Sequence, residues 1–213
     1  MEPGCPEWEY DGHPRRQEVL LREIQALVTG LARGQIDSLG TTRDTRPSHA
    51  RLFRELTPEG FPQYAGNYRG APLRCLRFYE VVIGGDPRVG YPCGQVHAAM
   101  EQLADVVARG LGAIDAGRQL PGMGEEDRLL FVVAFAAHVL QRLLTIHPYA
   151  NGNGHAARLA VWAVLLRYGY WPKRFPIEPR PVQPSYVTAI VAHRNGDPEQ
   201  LESFIFRSIE GTL

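Results

Sequence analysis

Apolar residues recur every three or four positions through long stretches of this chain, and that spacing predicts helices. Between Glu18 and Arg33 the pattern runs Val19, Leu20, Ile24, Leu27, Val28, Leu31, with Gly34 as a stop. Ser38 to His49 is polar and reads as a loop, and Arg51 to Leu56 as a short helix before Pro58. Helical spacing returns over Gln95–Leu111, a Gly-containing linker follows over Gly112–Gly124, and helices are expected at Glu125–Ile146 and Asn153–Tyr168. Ser185–His193 and Pro198–Ile209 complete the series, the latter with Asp197 as its N-cap. One segment breaks the pattern. Asn67 to Ile83 is rich in Tyr, Leu, Phe, Val and Ile and is bounded by Gly70-Ala71-Pro72 and Gly84-Gly85-Asp86-Pro87, which predicts a small β-hairpin. The expected fold is mainly α with that hairpin, as an N-terminal extension over 1–60 with one helix and a main domain over 61–213.

Composition narrows the class. The 213 residues are 44% hydrophobic and carry 23 basic and 23 acidic residues. That is enough for one sizeable core, and no net charge draws the chain to nucleic acid. Arg69, Arg74 and Arg77 are accordingly expected on a solvated strand face. The apolar run Leu129 to Leu140 contains His138 and is too short for a membrane span, so it reads as a core helix with a satisfied core histidine. Cys5, Cys75 and Cys93 are odd in number and widely spaced, so neither a metal knuckle nor a disulfide framework is expected, and a reducing cytoplasm is the simplest location. Lys173 is the only lysine, which suggests a GC-rich, bacterial coding bias.

The candidate chemistry is concentrated in His147-Pro148-Tyr149-Ala150-Asn151-Gly152-Asn153-Gly154-His155-Ala156-Ala157-Arg158. Two glycines within three residues predict a tight loop opening a helix, where backbone N–H groups and the helix dipole attract an anion such as phosphate. Arg158, about one turn on, adds a charged fork, and His147 is a candidate general base. Base, cradle and arginine together suit phosphoryl or nucleotidyl transfer. Without the loop, His147-Pro148 would read as a helix cap, and Asn151 to Gly154 as a plain turn. His138, His147 and His155 do not share a helix face and so make no metal trio. His13, His49, His97 and His193 belong to no constellation.

The segment resembles the signature of the Fic family, His-x-Phe-x-(Asp or Glu)-Gly-Asn-Gly-Arg-x-x-Arg. The resemblance extends over about residues 65–207, including Asn67–Ile83 as a flap and Arg194-Asn195-Gly196-Asp197 in the helical ending. It implies that His147 deprotonates a Ser, Thr or Tyr hydroxyl of a target docked on 67–83. Gly152, Asn153 and Gly154 would hold the α-phosphate of ATP, Arg158 the distal phosphates, and AMP would pass to the target. Tyr149 stands where the signature has Phe. Two departures matter. Asn151 replaces the acidic residue that holds Mg²⁺ or Mn²⁺, leaving a weak metal candidate, and His155 replaces the first arginine. UMP, GMP or phosphocholine transfer, or nucleotide binding alone, therefore stay open beside AMPylation. γ-Phosphate transfer, as in Doc toxins, ranks last. No self-inhibitory Ser/Thr-x-x-x-Glu-Gly/Asn motif occurs, so a separate antitoxin-like inhibitor is the expected control. No nucleic-acid or membrane partner is expected, and delivery of the protein to another cell fits the toxin-like family.

Overall fold

The helices expected from periodicity form around a core that runs the length of the two most apolar ones. The computed structural model describes residues 3–209 apart from 82, 85, 118–123 and 182–183. The elements are α1 (Arg16–Ala32), α2 (Ser38–Arg43), α3 (Arg46–Phe53), α4 (Cys93–Gly117), α5 (Glu125–Ile146), α6 (Asn153–Arg167), α7 (Ser185–Arg194) and α8 (Glu199–Phe206). At the centre, α5 and α6 pack against each other. On the outside of α5 lie α4, α7 and α8, while α1, α2 and α3 cover α6. By length and composition alone α5 could cross a membrane, yet Val132, Val133, Ala136, Ala137, Val139 and Leu140 on it are buried in this core. α6 is buried on every side from His155 to Leu165, as expected of a helix without a polar face.

Several expectations change. The predicted loop 38–49 contains α2 and the first half of α3. Asp37 caps α2 by accepting from Leu39 N–H and Gly40 N–H at 3.0 and 2.9 Å, and Pro47 sits in the first turn of α3. The first 60 residues thus hold three helices rather than one, and Trp8, Leu20, Leu52 and Phe53 join the common core. α4 runs on to Gly117, into the predicted linker, whose residues 118–123 lie outside the described ones. Asp197 does not cap α8; it accepts from the Gln200 side chain instead.

The predicted hairpin over 67–83 is not seen among the described residues either, residue 82 lying outside them. No described residue is in a strand, and 67–81 forms successive turns, closed by Gly70 N–H to Leu76 O (2.8 Å) and Tyr79 N–H to Leu76 O (3.2 Å). The cause is Arg69, which is fully buried rather than on a solvated face. Its guanidinium donates to the carbonyls of Tyr79, Tyr91 and Ile146 (3.1, 3.0 and 3.3 Å), and that of Tyr79 is an acceptor that a ladder within 67–83 would have used. A second correction concerns cysteine. Cys5 and Cys75 form a disulfide with Cα atoms 5.4 Å apart, leaving Cys93 as the free thiol. The ground for a reducing compartment goes with it.

Candidate active site

The last turn of α5 ends at His147, which takes the left-handed conformation (φ 55°, ψ 61°). A helix end leaves carbonyls without partners, and here each finds one. Leu143 O accepts from His147 N–H (2.9 Å), Thr145 O from Gly90 N–H (2.9 Å) and Ile146 O from Tyr91 N–H (3.2 Å). Arg69 completes the set, donating from Nε to His147 O at 2.9 Å and from its backbone N–H to Pro148 O at 2.8 Å. The turn that carries His147 is thereby bolted to the segments on either side of it.

The imidazole lies within reach of one further carbonyl, with Nδ1 3.4 Å from Leu144 O. A carbonyl only accepts, so Nδ1 carries the proton and Nε2 keeps a bare lone pair. Burial, helped by the nearby charges of Arg69 and Arg194, lowers its pKa to about 4. The ring is therefore neutral at physiological pH and able to take a proton.

Beyond Pro148 the chain turns back into α6 through Gly152 (φ 77°). A Cβ there would stand 2.5 Å from the Phe53 ring and 2.9 Å from His49 Nε2, so only glycine fits. At Gly154 a Cβ would come within 2.9 Å of Arg158 Nη1, so glycine lets that guanidinium lie against the backbone. Asn153 is buried and braces the loop from within: Nδ2 donates to Tyr149 O (2.9 Å) and Oδ1 accepts from Tyr149 N–H (2.8 Å). The N–H groups of Asn153 and Gly154 make no hydrogen bond among the described residues. They open α6 and remain free for an anion. Arg158 is buried, donating from Nε to Ile177 O at 2.9 Å.

The two residues that depart from the signature share one neighbour, the N-terminal segment. Asn151 donates from Nδ2 to Trp8 O (2.8 Å), and its Oδ1 accepts from Gly152 N–H (2.8 Å). His155 contacts Tyr10 Oη at 3.3 Å through Nδ1 and Glu178 Oε2 at 2.7 Å through Nε2. Glu178 also accepts from Arg16 (3.0 Å), and hydrogen bonds from His155 and Arg16 hold its carboxyl down at about 2. The segment is fastened further by the Cys5–Cys75 disulfide, by Tyr64 Oη donating to Pro6 O (2.7 Å) and by Trp8 Nε1 donating to Leu56 O (2.8 Å).

His49 supports the loop although nothing in its sequence context marks it. It stacks on Tyr149 with ring centroids 3.6 Å apart. Nδ1 accepts from Gly66 N–H (3.0 Å), so Nε2–H donates to Asn151 O (2.9 Å). Burial lowers its pKa to about 3. Tyr149 finds the partner its added hydroxyl requires in Thr45 Oγ1, at 2.6 Å. His138 is exposed rather than a core residue.

A model of the Fic/DOC family matches residues 40–165, more than half of the chain. The chain belongs to the Fic/DOC family. Its similarity to proteins named "Protein adenylyltransferase Fic" is narrower. It is 30% identical to the one from Nematostella vectensis over 91 residues, 43% of this chain and 21% of that protein. It is 33% identical to the one from Drosophila persimilis over 89 residues, 42% and 17% of the respective chains. It is 31% identical to the one from Culex quinquefasciatus over 101 residues, 46% and 19%. The match thus spans about a fifth of the length of these relatives. Their shared name places these relatives among the transferases.

The donor set for the Mg²⁺ or Mn²⁺ that the signature implies is thin. Among the described residues no group of three or more His, Cys, Asp or Glu side chains converges. Both ends of the Asn151 amide are engaged, and Glu178 is held by His155 and Arg16. The remaining carboxylate beside the loop is Glu9, exposed, with Oε1 3.5 Å from Asn151 Nδ2. Mg²⁺ at a nucleotide commonly uses one or two carboxylates plus substrate phosphates and water, and Glu9 is the exposed carboxylate near enough to the loop to serve as one.

Proposed function

We propose that this chain transfers AMP from ATP to a Ser, Thr or Tyr hydroxyl of a target protein. The observation that carries this reading is His147: neutral, with Nε2 unprotonated, on a turn held by Arg69 and followed at once by the free N–H groups of Asn153 and Gly154. In the reaction Nε2 takes the proton of the target hydroxyl. The hydroxyl oxygen forms a bond to the α-phosphorus, the bond from that phosphorus to the β-phosphate oxygen breaks, and pyrophosphate leaves. The Asn153 and Gly154 amides at the α6 N-terminus would stabilise the charge on the α-phosphate, with Arg158 behind them. A divalent cation, when bound, would neutralise phosphate charge, and Glu9 is the residue here that would hold it. The target would lie along residues 67–83.

Binding without transfer is a second reading, and one observation favours it. Asn151 and His155 both hold the N-terminal segment rather than face outward. One experiment separates the two. Wild type and His147→Ala are incubated with α-labelled ATP, Mg²⁺ or Mn²⁺ and cell lysate, with nucleotide binding measured in parallel by calorimetry. Transfer lost in His147→Ala supports the first reading; binding with no label under either metal supports the second. If His147 is the base, kcat/KM stays level through neutrality and falls only toward about 4. A histidine at its ordinary value would lose activity below about 6.5.

A further inference from the structure

Residues 87–92, one face of α5 and the end of α7 enclose a cleft of about 550 Å³ that the reaction above leaves unused. Its walls are basic. Arg88, Arg142 and Arg194 line it together with His138 and His193. Among the described residues one carboxylate, Asp86, answers them, pairing with Arg88 at 2.9 Å and Arg194 at 3.0 Å, while Arg88 also donates to Asn195 Oδ1 at 3.0 Å. Arg142 has no carboxylate partner among the described residues; its Nη1 reaches only Tyr91 Oη, at 3.5 Å.

Two polar atoms in the lining are withdrawn from solvent with no partner, Gln141 Oε1 and Arg194 Nε. Gln141 is only 5% exposed, and its other end donates to Thr145 Oγ1 at 3.3 Å. A buried acceptor and a buried donor left unmatched are unfavourable unless a ligand completes them. The ligand must therefore bring a hydrogen-bond donor for Gln141 as well as an anion for the arginines. A phosphate group offers acceptors almost alone. A peptide with a carboxylate side chain offers both, through its N–H and its acid.

We propose that this cleft binds an acidic side chain and the adjoining backbone of the target segment, next to the hydroxyl presented to His147. The inference rests on the transfer reading for its geometry. Thr145, in the lining of the cleft, is two residues before His147, which caps the C-terminus of the same helix. Arg142 is five residues before His147, which is about 7.5 Å along the helix axis. Extended peptide covers that distance in two or three residues, at roughly 3.3 Å each. An Asp or Glu two or three positions from the accepting hydroxyl is thus what the cleft selects.

The test reads binding rather than turnover, so its result is independent of whether transfer occurs. A fluorescein-labelled peptide, Ala-Tyr-Ala-Glu-Ala, is titrated with the full chain by anisotropy without nucleotide, beside its Glu→Gln counterpart. The acidic peptide is expected to bind at least about ten-fold more tightly, and Arg142→Gln and Arg88→Gln each to reduce that preference. Equal affinity for the two peptides would overturn the proposal, as would a preference that survives both substitutions. Displacement of the acidic peptide by ATP from Arg142's side of the cleft, seen as weaker calorimetric ATP binding in Arg142→Gln alone, would also overturn it, because the cleft would then belong to the nucleotide. If the preference holds and no label is ever transferred, the transfer reading fails while the cleft's specificity stands.

Discussion

His147 and Gly152 show how little freedom the site leaves to single residues. Gly152→Ala puts a methyl group 2.5 Å from Phe53 at a φ of 77°. Left-handed strain and the clash together are expected to lower stability by about 2 kcal/mol or more, read as a shift in the urea midpoint. An unchanged midpoint would mean that the loop relaxes away from Phe53. The buried histidines set the response to acid. His49 and His147 have folded pKa values of about 3 and about 4, below the roughly 6.5 of the unfolded chain. As pH falls below that unfolded value the unfolded state takes up protons first, so stability is full above it and declines toward about 3. Thermal unfolding across that range checks the sign, and His49→Gln should flatten part of the slope. His147, the glycines and Arg158 were legible in the sequence because they lie within 12 consecutive residues. His49 was not: its partners Gly66 and Asn151 are 17 and 102 residues away.

At the scale of elements, the end of α5 depends on one side chain. Arg69 is buried without a buried counter-charge, and burial lowers its pKa. Exposed Glu80 approaches only to 3.6 Å. What compensates is the carbonyls of His147, Tyr79, Tyr91 and Ile146, all accepting from it. Arg69→Met would leave the carbonyls of His147, Tyr79 and Tyr91 unmatched, while Ile146 O keeps Tyr91 N–H, an expected loss of about 3 kcal/mol or more by denaturant titration. Arg69→Lys would recover little, since an ammonium lacks the planar fork. A loss under about 1 kcal/mol in Arg69→Met would show that water replaces the guanidinium freely. The same residue bears on why the hairpin expected over 67–83 does not form through 67–81. Its aromatic and β-branched composition favours strands, but a buried cation gathering carbonyls from several segments outweighs local propensity. The central helices were legible because their period is local. α2 was not, since a polar six-residue helix shows little period and its signal was the Asp37 cap alone.

For the molecule as a whole, the Cys5–Cys75 disulfide closes a ring of chain around α1, α2 and α3, its ends 70 residues apart. Constraining the unfolded state over a loop of that length is worth roughly 2–4 kcal/mol. Reductant, or Cys5→Ser with Cys75→Ser, should lower the guanidinium midpoint accordingly, and coincident curves would dismiss that contribution. Two cysteines so far apart carry no local signal, which is why the bond could not be read from spacing. The seat of that N-terminal segment also orders the assembly of the protein in time. Trp8 O and Tyr10 Oη find their partners 143 and 145 residues further along the chain. At ribosomal speeds that separation amounts to roughly 7–30 s of synthesis. Cys75 emerges about halfway through the interval, so where thiols are oxidised the covalent ring can close before Asn151 and His155 exist to receive the segment it carries.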